Sequence, residues 1–225
     1  GRGVTTDIKT LKGAELGFRH AQQISSTVIV EEFIAGSDYR FLVIDYKLVA
    51  VAQRIPAAVS GNGYSTIKQL IDEENKNAER GAGPEHILDP IRVDDTTIKL
   101  LSGKGLTLES ILPEGETMVL KDTANISTGG TAVDVTDNVH PENVFLAERI
   151  AYMFNLDICG IDIVASSIDI PITRYVGAVI EVNAGPGLRM HSNPQKGTAR
   201  NVAAPVIDML FPSPDNALIP VIAVE

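Results

Sequence analysis

"VIEVNAGPGLRMH", residues Val179–His191, poses the questions of fold and function together. Its first part is apolar and β-branched, the composition of a strand. Glu181 and Asn183 interrupt it two positions apart, and such residues point to one face of a strand. A Gly-Pro-Gly turn ends the run, and Arg189 and His191 follow. The apolar stretch before it, "CGIDIV" (159–164), carries one acid, Asp162. An ionised carboxylate alone in apolar surroundings is costly, and pairing or metal binding is the usual remedy. If the two stretches are antiparallel strands joined through "ASSIDIPITRY" (165–175), then Asp162, Glu181 and Asn183 converge on one face. Three oxygen donors on a rigid sheet suit a hard cation such as Mg2+. The histidines His20, His86, His140 and His191 are scattered and offer no imidazole cluster. The same spacing also fits acids at solvated strand ends, or an acid paired with arginine.

Working outward, the 225 residues are 44% hydrophobic and 21% charged, ordinary for a globular chain. No apolar run approaches the ~18 residues of a membrane span, and no basic-then-apolar leader opens the sequence. The single Cys159 excludes an internal disulfide and points to a reducing cytoplasm. A formal charge of −10, with 5% aromatics and no tryptophan, argues against nucleic acid as partner. Any anion site must therefore be local, built from a few arginines, glycine-loop amides and metal ions. "GRGVTT" opens the chain in glycines and "ALIPVIAVE" closes it on a strand-like run, so an excised fragment is expected.

The remainder reads as mixed α and β. "TDIKTLKGAELGFRHAQQIS" predicts a short strand and a helix, and "STVIVEEFI" a strand. "YRFLVIDYKLVAVAQRIPA" predicts a hairpin turning near Asp45–Lys47, with Arg40 and Arg54 on its two arms. Ser65 or Thr66 caps a helix to about Asn77, residues 78–95 form a polar loop, and "TTIKLLSGKG" is a short helix ended by glycine. "PENVFLAERIAYMFN" is a helix with Val144, Ala147, Ile150, Ala151 and Phe154 on one face. "GTARNVAAPVIDMLF" is a last helix, with a kink expected at Pro205.

Two further segments carry polar chemistry. In "NISTGGTA" (125–132), Asn125, Ser127 and the glycines form either an anion nest or a plain hairpin turn. In "EEFIAGSDYR" (31–40) a strand end carries acids, which is either a solvated terminus or a nucleotide hinge.

Taken in order, these pieces resemble the ATP-grasp superfamily: glycine loop, "VIVEEFIAGSDYR", central sheet, acid on a strand, then "EVN" with a Pro-Gly turn. Three stretches, 54–81, 120–137 and 179–212, resemble the ATP-grasp region of the cyanophycin synthetase family. The resemblance implies an α+β ATP-grasp fold, with mixed or antiparallel sheets flanked by helices and truncation at both ends. Residues 1–34 would be part of the small subdomain. Residues 35–225 would be the large one, ending at a linker strand to a missing Mur-ligase-like domain.

It also implies a cytoplasmic ATP-dependent carboxylate–amine ligase that works through an acyl phosphate and adds aspartate to a cyanophycin primer. ATP and Mg2+ would be required, and the full-length protein would form a homo-oligomer. By resemblance, Gly1 and Gly3 belong to the phosphate loop, Glu31, Glu32 and Ile34 to the adenine hinge, and Asp38 to the ribose. Arg54, Lys121 and Asn125 would meet the phosphates and acyl phosphate. Arg40, Ser127, Arg189 and His191 would meet peptide or aspartate carboxylates, and Asp162, Glu181 and Asn183 would hold the metal. The alternatives are the ATP-grasp half of a bifunctional glutathione synthetase and a non-catalytic nucleotide-binding fragment.

Overall fold

The computed structural model describes residues 3–6, 8–83 and 86–213. Two compact units divide the chain, Gly1–Ala35 and Gly36–Glu225. Gly1 and the expected closing strand "ALIPVIAVE" lie outside the described residues.

In the first unit, α1 (Leu11–Gln22) starts at Thr10, whose hydroxyl accepts from the Gly13 amide at 3.0 Å. The strands expected before α1 and over residues 26–34 are absent among the described residues. A β-branched run becomes a strand only beside a partner that completes its ladder. Here Val28, Ile29 and Val30 instead line a cavity of about 450 Å³ with Ala14, Gly17 and Phe18 of α1.

The second unit runs β1 (Ser37–Ile44), β2 (Lys47–Ile55), β3 (Ala58–Ser60), α2 (Ile67–Glu74), α3 (Asp95–Gly103), β4 (Thr117–Val119), β5 (Thr131–Asp134), α4 (Pro141–Phe154), β6 (Ile158–Ala165), β7 (Gly177–Asn183), α5 (Arg189–Ser192) and α6 (Ala203–Leu210). The β1–β2 hairpin turns at Asp45 and Tyr46, with φ of 50° and 59°. Paired positive φ values match the twist of the flanking strands. Five strands form one antiparallel sheet in the order β5-β2-β1-β6-β7, and β3 pairs with β4 in a second.

Period-two alternation gives the large sheet two different faces. Phe41, Val43, Val51, Ile161 and Ile163 pack against Ala147 and Ala151 of α4. Leu42, Ile44 and Ala50 point the other way and meet Val202 beside α6. Ile67, Ile71, Leu101, Leu112 and Met118 build a separate core around the small sheet.

Local signals set most helix ends. Thr66 and Gln69 complete a capping box on α2, which stops at Glu74, short of the expected Asn77. Phe154 is 64% exposed, so the inner face of α4 is narrower than its apolar spacing suggests. Pro205 does not kink α6. The helix starts at Ala203, so the proline falls in the first turn, where no amide donor is needed. No described helix is long and apolar enough to cross a membrane.

Asn143 ties α4 to the β6–β7 connection. Its amide donates to the Ile168 and Ile170 carbonyls at 2.9 and 2.8 Å and accepts from the Ile172 amide at 2.8 Å. The residue is 1% exposed, so truncation leaves three backbone groups without this partner, the Ile168 carbonyl in a buried setting. Asn143→Ala is expected to lower unfolding free energy by about 2 kcal/mol in urea titration. Asn143→Asp should not restore it, because a carboxylate cannot donate.

Candidate active site

Antiparallel pairing sets Asp162 directly opposite Glu181, and Gly160 opposite Asn183. Directly paired residues share a face, so the three expected oxygen donors lie together. A register shift makes this possible. Ile163 pairs with Val179 while Asp162 pairs with Glu181, leaving Ile180 as the extra residue. Without that bulge Glu181 would follow Val179 to the α4 side of the sheet.

The row continues across the sheet: Glu181, Asp162, Arg40, Ala52 and Asp134 are successive cross-strand partners. Asp162 is 7% exposed and takes both hairpin arginines. Arg40 Nε donates to its Oδ1 and Nη2 to Oδ2, the latter at 3.0 Å, while Arg54 Nη2 donates to Oδ2 at 3.1 Å. Arg54 also donates from Nε to Asp38 Oδ1 at 2.7 Å. Two guanidinium groups and two carboxylates thus balance. Burial pushes the Asp38 carboxyl above its ordinary range; contact with Arg54 opposes this shift without cancelling it.

The donor set fits a hard cation. Glu181 is exposed, and its side chain makes no ion pair or hydrogen bond among the described residues. Asn183 Nδ2 is buried with no partner, and a half-turn of that amide would offer its oxygen instead. No group of three His, Cys, Asp or Glu gathers among the described residues; this set is two carboxylates and one carboxamide.

His191 is 1% exposed, and neither ring nitrogen has a partner. Its helix, α5, packs on β2 and β5. Burial, and next the charge of Arg40, push the imidazole down to about 4, with Asp134 opposing. At neutral pH the ring is therefore uncharged. The carboxylate contact expected of it cannot come from an imidazolium.

Lys121 has partners of its own. It is 4% exposed, and its ammonium meets Asp94 Oδ2 at 2.6 Å and Thr97 Oγ1 at 3.2 Å. Asp94 caps α3, so the contact secures a helix start. The stretch after Asn125 is a turn, not a nest. The amides of Thr128 and Gly130 donate to the Asn125 carbonyl, and that of Gly129 to Ile126, at 2.9–3.1 Å. Those N–H groups are thus already satisfied. In the first unit Gly3 and Glu31 line the same cavity, and Glu32 a neighbouring one. Ile34 is partly buried.

Ser127 and Arg189 do come together. With Asp89, Ile126, Gly187 and Met190 they line a cavity of about 230 Å³. Sequence reasoning passed over Asp89 and Arg80, which sit in a polar loop without periodicity. Arg80 is 8% exposed, and its Nη1 donates to the carbonyls of Asp89 and Gly129 at 3.0 and 2.9 Å. It also passed over the clamp on β5, where Arg200 donates to Asp134 and Asp137 from Nη2 at 2.7 Å each.

Comparison with known proteins agrees with this architecture. The chain is 49% identical over 224 residues to the cyanophycin synthetase of Trichormus variabilis, an alignment covering 100% of this chain and 25% of that protein. It is 37% identical over 200 residues to a glutathione biosynthesis bifunctional protein of Clostridium perfringens, covering 89% of this chain and 25% of that one. The crystal structure of a bifunctional glutathione synthetase from Pasteurella multocida superposes with a TM-score of 0.70 at 33% identity, over 89% of this chain and 27% of that one. No family model matches the chain. The chain spans about a quarter of the length of the curated relatives it matches. The fold is the α+β ATP-grasp arrangement expected from the sequence, with antiparallel sheets flanked by helices.

Proposed function

We propose that this chain is the ATP-dependent, amide-forming region of a cyanophycin synthetase and that it adds aspartate to the C-terminal carboxylate of a peptide primer. The observation that carries the reading is the convergence of Asp162, Glu181 and Asn183 beside Arg40 and Arg54. Identity of 49% along the whole chain supports this choice over the glutathione-type ligase, at 37%.

Phosphoryl transfer asks a protein for positioning and charge neutralisation more than for covalent help. A divalent cation at the three oxygens supplies electrostatic stabilisation of the phosphate charge when bound. Arg40 and Arg54 each spend Nε and Nη2 on the buried carboxylates and keep Nη1 and their positive charge for phosphate or carboxylate. Asp162 keeps them oriented toward the same face. The terminal phosphoryl group of ATP passes to the primer carboxylate, giving an acyl phosphate and ADP. The amine of aspartate then attacks the acyl carbon, the carbon–oxygen bond to phosphate breaks, and the amine's proton goes to solvent.

The complete protein should release ADP and extend a cyanophycin primer with aspartate, as read by mass spectrometry. It should not join γ-glutamylcysteine to glycine. The reverse pattern would assign it to glutathione synthesis. Calorimetric Mg-ATP binding without either product would leave only a nucleotide-binding module.

A further inference from the structure

We propose that the cavity between Ser127 and Arg189 seats the amine substrate, with Asp89 receiving its ammonium group and Arg189 its α-carboxylate. This rests on the amide-forming reading above and adds the residue that recognises the nucleophile. The cavity, at about 230 Å³, holds one small amino acid with a little water.

Its walls carry opposite charges that form only a loose ion pair. Arg189 Nη1 stands 3.9 Å from Asp89 Oδ2, too far for a hydrogen bond, and the two side chains are 43% and 34% exposed. Neither side chain hydrogen-bonds any described residue. The Arg200–Asp134 clamp shows the contrast. There three contacts at 2.7–3.2 Å close the pair, and its guanidinium has little left to offer a ligand. The open pair instead matches a zwitterion, and Ser127 adds a hydroxyl to the same cavity. A primer C-terminus offers a carboxylate for Arg189 but no ammonium for Asp89, so the amine substrate, which carries both, is the better occupant.

Asp89 is also held firmly. One buried guanidinium, that of Arg80, grips its backbone carbonyl and that of Gly129, fixing Asp89 and the Ser127 turn against each other. Asn75 holds Ile91 through both its N–H and its C=O, at 2.8 and 2.9 Å. Ile91 packs so closely on Gly129 that a Cβ there would meet it at 2.8 Å. A charged wall on such a braced segment is preorganised for its ligand. Gly187 brings the turn after β7 into the same cavity, so the amine would sit next to the strand that carries Glu181 and Asn183.

The test uses the complete protein. With aspartate as substrate, Asp89→Asn should raise the KM for the amino acid tenfold or more, leaving the KM for ATP and primer within about twofold. On the wild type, succinate, which lacks the amine, should compete at least tenfold more weakly than aspartate binds. Asp89→Asn should remove that preference. The same series is run with glycine against acetate, so that an error in the assigned amino acid is separated from an error about Asp89. An unchanged amino-acid KM, a parallel rise in the KM for ATP, or equal competition by the amine-free analogue on the wild type overturns the proposal. Absence of saturable binding of either amino acid in the presence of Mg-ATP analogue overturns it as well.

Discussion

Glu181→Gln is expected to slow amide formation about a thousandfold while leaving the urea midpoint unchanged. The two halves of that expectation have separate origins. The Glu181 side chain is exposed and unpaired among the described residues, so the folded state does not draw on its charge. It nevertheless stands opposite Asp162, where phosphate charge would have to be neutralised. Asp162→Asn should lose activity to the same degree and lose stability too. Its carboxylate is buried between Arg40 and Arg54, and a neutral amide would leave Arg40 without its ionic partner and only Asp38 to balance the two guanidinium groups. Removing one partner from a buried ion pair typically costs about 3–5 kcal/mol. The contrast between the variants is diagnostic, because one carboxylate holds the fold and the other does not. Chemical denaturation reads the first effect, and titration with Mn2+ alongside ligation rate reads the second. Near-normal ligation by Glu181→Gln would remove the metal assignment.

The sequence carried the centre of this site because its signals were local. Polar residues at period two within apolar strands can be read without coordinates, and so could the hairpin that carries Arg40 and Arg54. What stayed hidden depended on contacts between distant segments. The bulge at Ile180 has no glycine or proline to announce it, yet it decides which face Glu181 takes. Asp89 lies in an aperiodic loop, and its role follows only from an arginine nine residues earlier that also reaches Gly129. Lys121 reads as a phosphate ligand by resemblance, whereas its ammonium is engaged at the start of α3. The stretch at 26–34 has strand composition without a paired neighbour among the described residues. Propensity describes a residue's fit to a sheet, and it cannot supply the sheet.

Acidification from pH 6.5 to 4 is expected to cost the fold about 3 kcal/mol through His191 alone. The folded protein holds this imidazole at about 4, while the unfolded chain holds it near its ordinary 6.5. Between those values the unfolded state binds the extra proton, so stability falls as pH falls, and the contribution is complete above 6.5. Other shifted carboxyls act mostly lower. Asp134 and Asp94 sit below their ordinary range, so their stabilisation is lost only under more acidic conditions. Asp38 is raised and has the opposite sign, gaining stability on acidification near the bottom of the window. His191→Leu should therefore flatten the profile between pH 6.5 and 4.5, as measured by urea unfolding at several pH values. It should also remove two buried nitrogens that lack partners, so no large loss of stability is expected at pH 8. A slope that persists in the variant would place the titrating group elsewhere. A severe loss at pH 8 would mean that the ring makes a hydrogen bond, and the neutral, unpartnered imidazole between Arg40 and Asp134 would have to be abandoned.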